Sequence, residues 1–323
     1  MVRADKLRSL RLDLFGAESD VTPEQRLRQL RQTAKAIVAS IQQAETLDFQ
    51  IRNLYPYPVT FSYRSLSANT VPSDLYRDQL RLAENILAFV ASVSLALISP
   101  QDWTSSGVDL RQSWQRGISP GHWREIAQKC SRVLSKYSAN RLAQALHDLW
   151  NDRRKRGFHD RVDDLIAAKN DFKHDRGPKT EEEFTEATGR VQIILQECMR
   201  ELGFFAEHPL RLVRDMSGIR GRPEVSLVTL LCMGDHPGFV QQPTTYPSPV
   251  IKNDLYIELA EGNWTALHPF VIPYNCPQCK NREFYFIDRW PGDGKPAVLK
   301  SFERGHTQDS DDVSMALTSW LSG

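Results

Sequence analysis

Residues 177–202, GPKTEEEFTEATGRVQIILQECMREL, hold the pattern that decides the fold of the N-terminal part of the chain. Gly177 and Pro178 end the preceding element, and Thr180 with Glu183 forms a capping box, in which each side chain satisfies a free backbone amide. Apolar residues then recur every three or four positions, which is the spacing of one helix face. They are Phe184, Ala187, Val191, Ile194, Leu195, Cys198 and Leu202. The stretch therefore predicts a long amphipathic helix that packs against other helices.

The same helical spacing occurs in several segments upstream. We predict one helix from Thr22 to about residue 50, a second from Ser73 to about residue 99, and a third that starts at Ser119. A fourth covers about 139–153 and a fifth follows Gly157. Residues 53–73 contain three prolines, which favours an extended connection. Residues 1–20 form a short charged arm, and residues 21–205 form an all-α helical bundle.

The pattern changes after about residue 206, where prolines and glycines become frequent and short β-type runs appear. The runs are Val225–Leu231, Tyr256–Leu259, Trp264–Ile272, Phe284–Ile287 and Ala297–Phe302. We predict a smaller β-rich domain over residues 206–323, built as a barrel or curled sheet and closed by a helix over Asp311–Leu321. The fold class is therefore α+β, with the helical bundle first.

Bulk composition excludes several classes of protein. The chain has 323 residues with 41 Lys and Arg against 40 Asp and Glu, so a nucleic-acid site must come from a local patch. Its five scattered cysteines do not resemble a disulfide framework, which indicates a reducing compartment. The longest apolar run, Ile86–Ile98, is too short to span a bilayer, and the N-terminus lacks the apolar segment of a signal peptide. We expect a cytoplasmic protein without a membrane anchor.

A polar cluster on the fifth helix is the main candidate site. In helical projection Lys169 falls within the apolar stripe, where an unpaired ammonium is costly, and Asn170 and His174 share the adjoining flank. A histidine can move a proton near neutral pH, a cation can hold a phosphate, and an amide can position either group. A structural interpretation stands beside this one: Lys169 extends toward solvent, Asp171 and its neighbours pair with local bases, and His174 helps to end the helix.

This segment resembles the signature of the HEPN superfamily, in which an arginine, four to six variable residues and a histidine follow in order. Lys169 takes the place of the arginine, Asn170 is the polar residue often found next, and His174 is the histidine. The resemblance covers about residues 75–205, from a long helix with an internal acid, Glu84, to the last long helix. It implies an all-helical domain that dimerises so that two motifs form one composite site.

Two functions follow from the resemblance. The first is a metal-independent endoribonuclease of a prokaryotic antiviral-defence or toxin–antitoxin system. In it His174 is the acid/base or phosphate contact, Lys169 is the phosphate clamp and Asn170 positions them, with no cofactor for catalysis. The second is a non-catalytic homodimeric subunit that binds a partner protein of the same system, which the lysine favours because it lacks the bidentate fork of arginine. A third hypothesis, which does not depend on the resemblance, is a nucleic-acid-binding regulator.

A basic run, Arg153-Arg154-Lys155-Arg156, lies just upstream of the motif. It is either a phosphate track that leads RNA to the site or a solvated helix end whose cations complement the helix dipole. Arg154 and His159 also have the spacing of the motif, as do Arg141 and His147, so the spacing alone is weakly specific.

Cys276-Pro277-Gln278-Cys279 is typical of a zinc knuckle, and Cys276 and Cys279 are candidate ligands of a structural zinc ion. The chain has no second Cys-x-x-Cys, so His268 and His306, or Cys232 and His236, would have to complete the site. A thiol pair in a turn without metal is the alternative.

Overall fold

One long helix, Pro72–Ala96, forms the centre of the helical part of the fold. The computed structural model describes residues 28–38, 46–104, 109–152, 156–259, 262–292 and 294–322. The helices are α1 (28–38), α2 (Leu47–Leu54), α3 (Tyr57–Leu66), α4 (Pro72–Ala96), α5 (Pro100–Thr104), α6 (Leu110–Gln115), α7 (Pro120–Leu134), α8 (Arg141–Asn151), α9 (Phe158–Lys173), α10 (Glu181–Glu201) and α11 (Asp311–Ser322). A 3₁₀ turn, Leu202–Glu207, follows α10. The second half of α4 is buried on nearly all sides, as expected for a helix that is apolar all round.

Local sequence signals fix the helices that the sequence predicted. Ser119 caps α7 and Thr180 caps α10, each in a complete capping box. Gly157 precedes α9 and Asn140 caps α8 with its side chain. The predicted boundaries of these helices and of α4 are confirmed to within a few residues.

Two predictions about the first part of the chain are wrong. The predicted helix from Thr22 to residue 50 does not run through, because Thr46 lies in a bend and α2 begins after it. Residues 53–73 are not an extended connection, because α3 occupies Tyr57–Leu66. Pro58 lies in the first turn of α3, where a proline costs no helical hydrogen bond. The arm predicted for residues 1–20 lies outside the described residues.

The chain divides into two units, Met1–Thr46 and Leu47–Gly323. In the first unit the structure describes α1. In the second unit the helices and the strands share a large apolar core, as shown by the ring contacts of Phe89 with Phe302 at 6.3 Å and of Trp123 with Phe286 at 5.9 Å. A smaller apolar cluster lies at the first sheet. Helices α9 and α10 are joined by Arg161, which pairs with Glu197 and Glu201.

Two antiparallel sheets follow the helices, so the chain has the predicted α+β class. The strands are β1 (Leu210–Gly218), β2 (Val225–Leu231), β3 (Val240–Tyr246), β4 (Leu255–Glu258), β5 (Trp264–Ala266), β6 (Val271–Asn275), β7 (Arg282–Arg289), β8 (Ala297–Ser301) and β9 (Thr307–Ser310). The first sheet has the order β3-β2-β1-β4-β5 and the second has the order β6-β7-β8-β9. All pairs are antiparallel neighbours, and α11 begins directly after β9.

These two sheets replace the single barrel or curled sheet that we predicted. The predicted strand Trp264–Ile272 is divided into β5 and β6 by a turn at residues 268–270, and the chain passes from one sheet to the other at this turn. Strands β1, β3 and β9 were not predicted, because their residues alternate less clearly or are mostly polar. In the part of the chain that the structure describes, no helix is both long enough and apolar enough to cross a bilayer.

Candidate functional site

Four potential metal ligands converge at one end of the second sheet. Cys276 and Cys279 lie in the turn between β6 and β7, Glu283 lies on β7, and His306 lies between β8 and β9. One donor atom from each residue lies within 4.8 Å of the other three. The chain thus brings together a knuckle, a strand and a turn that are separated by up to 30 residues.

The knuckle has a defined backbone. The amide of Lys280 donates to the carbonyl of Cys276, and the amide of Cys276 donates to the carbonyl of Asn281. Lys280 has a φ of 62°, a left-handed conformation that turns the chain back after Cys279. These bonds hold both thiols on the same side of the turn.

A second turn brings His306 to the knuckle. Gly305 has a φ of 70°, which a residue with a side chain adopts at a cost, and its amide donates to the carbonyl of Ser301. The Nδ1 atom of His306 then lies 3.2 Å from Sγ of Cys276 and 3.4 Å from a carboxylate oxygen of Glu283. The Sγ atom of Cys279 lies 3.3 Å from the other oxygen of Glu283.

The electrostatics of the cluster favour the charged forms of Cys276 and Glu283, whereas burial raises the pKa of Cys279. Burial opposes the thiolate of Cys276, but hydrogen bonds from the Tyr285 hydroxyl and from the amides of Cys279 and Gln278 outweigh it and lower the pKa of Cys276 to about 7. Glu283 has no exposed side-chain surface, and burial likewise opposes its charge. The Arg304 guanidinium contributes most to the net lowering of the pKa of Glu283.

The donor set fits a tetrahedral transition-metal ion. Sulfur, nitrogen and oxygen ligands bind zinc at about 2.0–2.3 Å, which separates neighbouring donors by roughly 3.3–3.8 Å. Three contacts in the cluster, at 3.2–3.4 Å, are close to this range, and all four donor atoms lie within 4.8 Å of one another. Arg304 and Tyr285 contact Glu283 from outside, as outer-shell groups do when they orient a ligand.

The predicted ligands Cys276 and Cys279 therefore lie in a group of residues that could hold a metal ion, together with one of the predicted histidines. His268 instead lines a cleft, Cys232 is buried with its thiol directed to the carbonyl of Leu230, and His236 accepts the amide of Gly238. Glu283 was not predicted as a ligand. Its position four residues after Cys279, directly before the apolar run Phe284–Ile287, was the signal that could have identified it.

A second site, the motif on α9, lies against α4 and β8. The ammonium of Lys169 pairs with Oε2 of Glu84, and the ammonium of Lys300 lies 2.8 Å from Oε1. Burial opposes the charge of Glu84, but the two ammonium groups outweigh it and lower its pKa. Burial lowers the pKa of Lys169, and Glu84 opposes that change. The pair is thus an ionised, largely buried salt bridge.

The other motif residues lie on the surface at the end of α9. Asn170 and His174 are exposed, and no hydrogen bond or ion pair between described residues joins either side chain to Lys169. His174 is the C-cap, and its amide donates to the carbonyl of Asn170. Asp171 pairs with Arg176, and Phe172 packs against Tyr76. The contacts of Asp171 and His174 match the structural interpretation of the motif, but Lys169 does not extend toward solvent as that interpretation held, because it pairs with Glu84 inside the fold.

The remaining basic candidates have local partners where they are described. Arg156 pairs with Asp164 on the surface, whereas Arg153, Arg154 and Lys155 lie outside the described residues. His159 contacts Arg124 and Asp163.

His147 lies within 2.8 Å of the carbonyl oxygen of Ser131, so it has a structural partner. Of the sequence candidates, the cysteine knuckle is the one around which the structure assembles further ligand groups. Comparison of the chain with known proteins found no matching family model, no matching curated protein and no matching solved structure.

Proposed function

We propose that this protein is a zinc-stabilised, HEPN-like binding subunit of a prokaryotic defence or toxin-type system, which acts as a cytoplasmic homodimer and does not cleave RNA itself. The observation that carries the proposal is the salt bridge between Lys169 and Glu84. A phosphate clamp needs a cation that is free to meet the ligand. The ammonium of Lys169 is instead neutralised within the fold, where Glu84 also pairs with Lys300.

The zinc part of the proposal rests on ligand chemistry. Two thiols, an imidazole and a carboxylate provide four protein ligands, and a site with four protein ligands and no open position is typical of structural rather than catalytic zinc. The low pKa of Cys276 favours the thiolate, the form that binds zinc. The site ties the β6–β7 turn to the β8–β9 turn, so the ion would act as a cross-link within the second sheet.

We expect purified full-length protein to hold about one zinc ion per chain, and the Cys276→Ser variant to hold almost none, because the thiolates supply much of the affinity for zinc. Elemental analysis by mass spectrometry measures the stoichiometry. Cys198→Ala is the matched control, since it removes another buried thiol that is not among the four ligands. Unchanged zinc in Cys276→Ser would exclude the knuckle as a ligand.

The alternative function is a metal-independent endoribonuclease, which the exposure of Asn170 and His174 favours. In a homodimer these residues could meet a second copy of the motif. The ribose 2′-hydroxyl would then give its proton to a histidine and attack the adjacent phosphate, which forms a 2′,3′-cyclic phosphate and breaks the bond to the 5′-oxygen of the next nucleotide, and that oxygen takes up a proton.

Incubation with mixed RNA in the presence of a chelator separates the two functions. We expect no cleavage by the wild type above the level of His174→Ala, because the cation at residue 169 is already paired. His236→Ala is the control, since it removes another exposed histidine. The proposal would be wrong if the wild type cleaved RNA in the presence of chelator, left cyclic phosphate ends and lost this activity only in His174→Ala. Such a result would show that the protein is a nuclease rather than a binding subunit.

A further inference from the structure

An open cleft lined by cationic side chains lies outside both sites described above. Its first part has a volume of about 480 Å³ and is lined by Arg214, Lys252, Asn253 and Arg282 together with Leu230. Its second part, of about 390 Å³, shares three of these residues. It extends along β6 to Tyr274 and reaches His268 in the turn before that strand, so the two parts adjoin at their shared residues.

The backbone around Arg214 departs from regular pairing. The register between β1 and β2 passes from Val213 opposite Thr229 to Asp215 opposite Val228, so Arg214 is the extra residue of a β-bulge. A bulge changes the direction of the side chain it carries and is common beside binding sites.

Backbone hydrogen bonds connect the bulge to the turn that carries Lys252. The amide of Asn253 donates to the carbonyl of Val213 at 2.8 Å, and the amide of Val213 donates to the carbonyl of Asp254 at 3.1 Å. Asn253 has a φ of 66°, a left-handed conformation that asparagine tolerates better than most residues. Two irregular backbone features thus bring a guanidinium and an ammonium to the same cleft as Arg282.

The positive charges that line the first part of the cleft have few acidic partners. Among the described residues, no side chain forms an ion pair with Arg214 or Arg282. Lys252 pairs with Asp215 at 2.9 Å, but both side chains are more than half exposed, so a ligand can replace this weak contact.

The acids lie in the second part of the cleft, where Asp254 and Asp312 line the wall. Burial raises the pKa of Asp254, and His268 opposes that change. Positive charge therefore dominates the first part, while the second part offers hydrogen-bonding groups and the ring of Tyr274.

We propose that this cleft binds a small molecule that carries a phosphate group, with the phosphate held by Arg214, Lys252 and Arg282 and the remainder lying toward Tyr274. Guanidinium groups bind phosphate oxygens in pairs, which makes arginine well suited to this role. The size of the cleft falls within the range of about 300–1,000 Å³ that is usual for small-molecule sites. A nucleoside monophosphate has the required shape, with one anionic end and one hydrogen-bonding end.

Calorimetric titration of the full-length protein tests this site with four probes: AMP, adenosine, inorganic pyrophosphate and a short single-stranded RNA. We expect AMP or pyrophosphate to bind, and adenosine to bind at least about tenfold more weakly than AMP, because the phosphate contacts are charge-assisted. Arg214→Gln and Arg282→Gln should each weaken binding by about tenfold. Both arginines are exposed, so the melting temperature should stay unchanged.

Arg289→Gln is the matched control, because Arg289 is an exposed arginine at the other end of β7 and does not line the cleft. Absence of binding of both AMP and pyrophosphate at millimolar concentrations would overturn the proposal. So would equal affinity for adenosine and AMP, or an equal loss of affinity in Arg289→Gln. Binding of the RNA alone would make the cleft part of a nucleic-acid surface and would also overturn it.

Discussion

Removal of zinc from the full-length protein is expected to lower its melting temperature by roughly 10 °C. A ligand present at about 1,000 times its dissociation constant stabilises the folded state by about 4 kcal/mol, and each kcal/mol shifts the melting temperature of a domain of this size by about 2–4 °C. The physical reason is the position of the four ligands, which connect two turns across β7. Without an ion the contacts among these four side chains would be the hydrogen bonds of Cys276 with His306 and of Cys279 with Glu283 and the ion pair of His306 with Glu283, which hold the two turns together less firmly than metal–ligand bonds.

Differential scanning fluorimetry with and without chelator measures this effect. Added zinc should restore the melting temperature and added magnesium should not, since thiolates select the softer ion. The double variant Cys276→Ser/Cys279→Ser is the control and should melt at the low temperature whether or not chelator is present. A wild-type melting temperature that does not respond to chelator, in protein shown to have lost its metal, would contradict a structural role for zinc.

The substitution Glu84→Gln is expected to lower the free energy of unfolding by about 3–5 kcal/mol, because it leaves two ammonium groups close together and largely buried without a counter-charge. Lys169 and Lys300 come from α9 and β8, so the loss falls where the helices meet the second sheet. Urea unfolding followed by circular dichroism measures the change.

A matched control distinguishes this buried network from an ordinary ion pair. Glu186 pairs with Arg190 on the exposed face of α10, and Glu186→Gln should have little effect. Adding Lys169→Met to Glu84→Gln should recover part of the lost stability, since it removes one of the unpaired ammonium groups. A loss in Glu84→Gln no larger than that in Glu186→Gln would show that the three charges are not coupled as described.

The helical part of the fold could be predicted because its signals are local. The side chains of Ser119 and Thr180 bond to amides three residues away, and apolar spacing identifies the face that each helix buries. The same reasoning failed around Pro56 and Pro58, where prolines indicated a loop. Proline is compatible with a first helical turn, and α3 is held there by distant contacts, such as that of Tyr57 with Phe239 at 4.8 Å.

Each of the two sites could likewise be predicted in part from the sequence, while the rest depended on tertiary structure. The sequence by itself determined the helices from α4 to α10 that carry local caps and apolar spacing, the Cys276–Cys279 knuckle, and the position of Lys169 on an apolar stripe, because each depends on neighbours within a few residues. Tertiary structure alone decided that Glu283 and His306 join the knuckle and that Glu84, 85 residues away, neutralises Lys169. Such pairings are set by how sheets and helices pack, and packing depends on the whole core rather than on the spacing of residues along the chain.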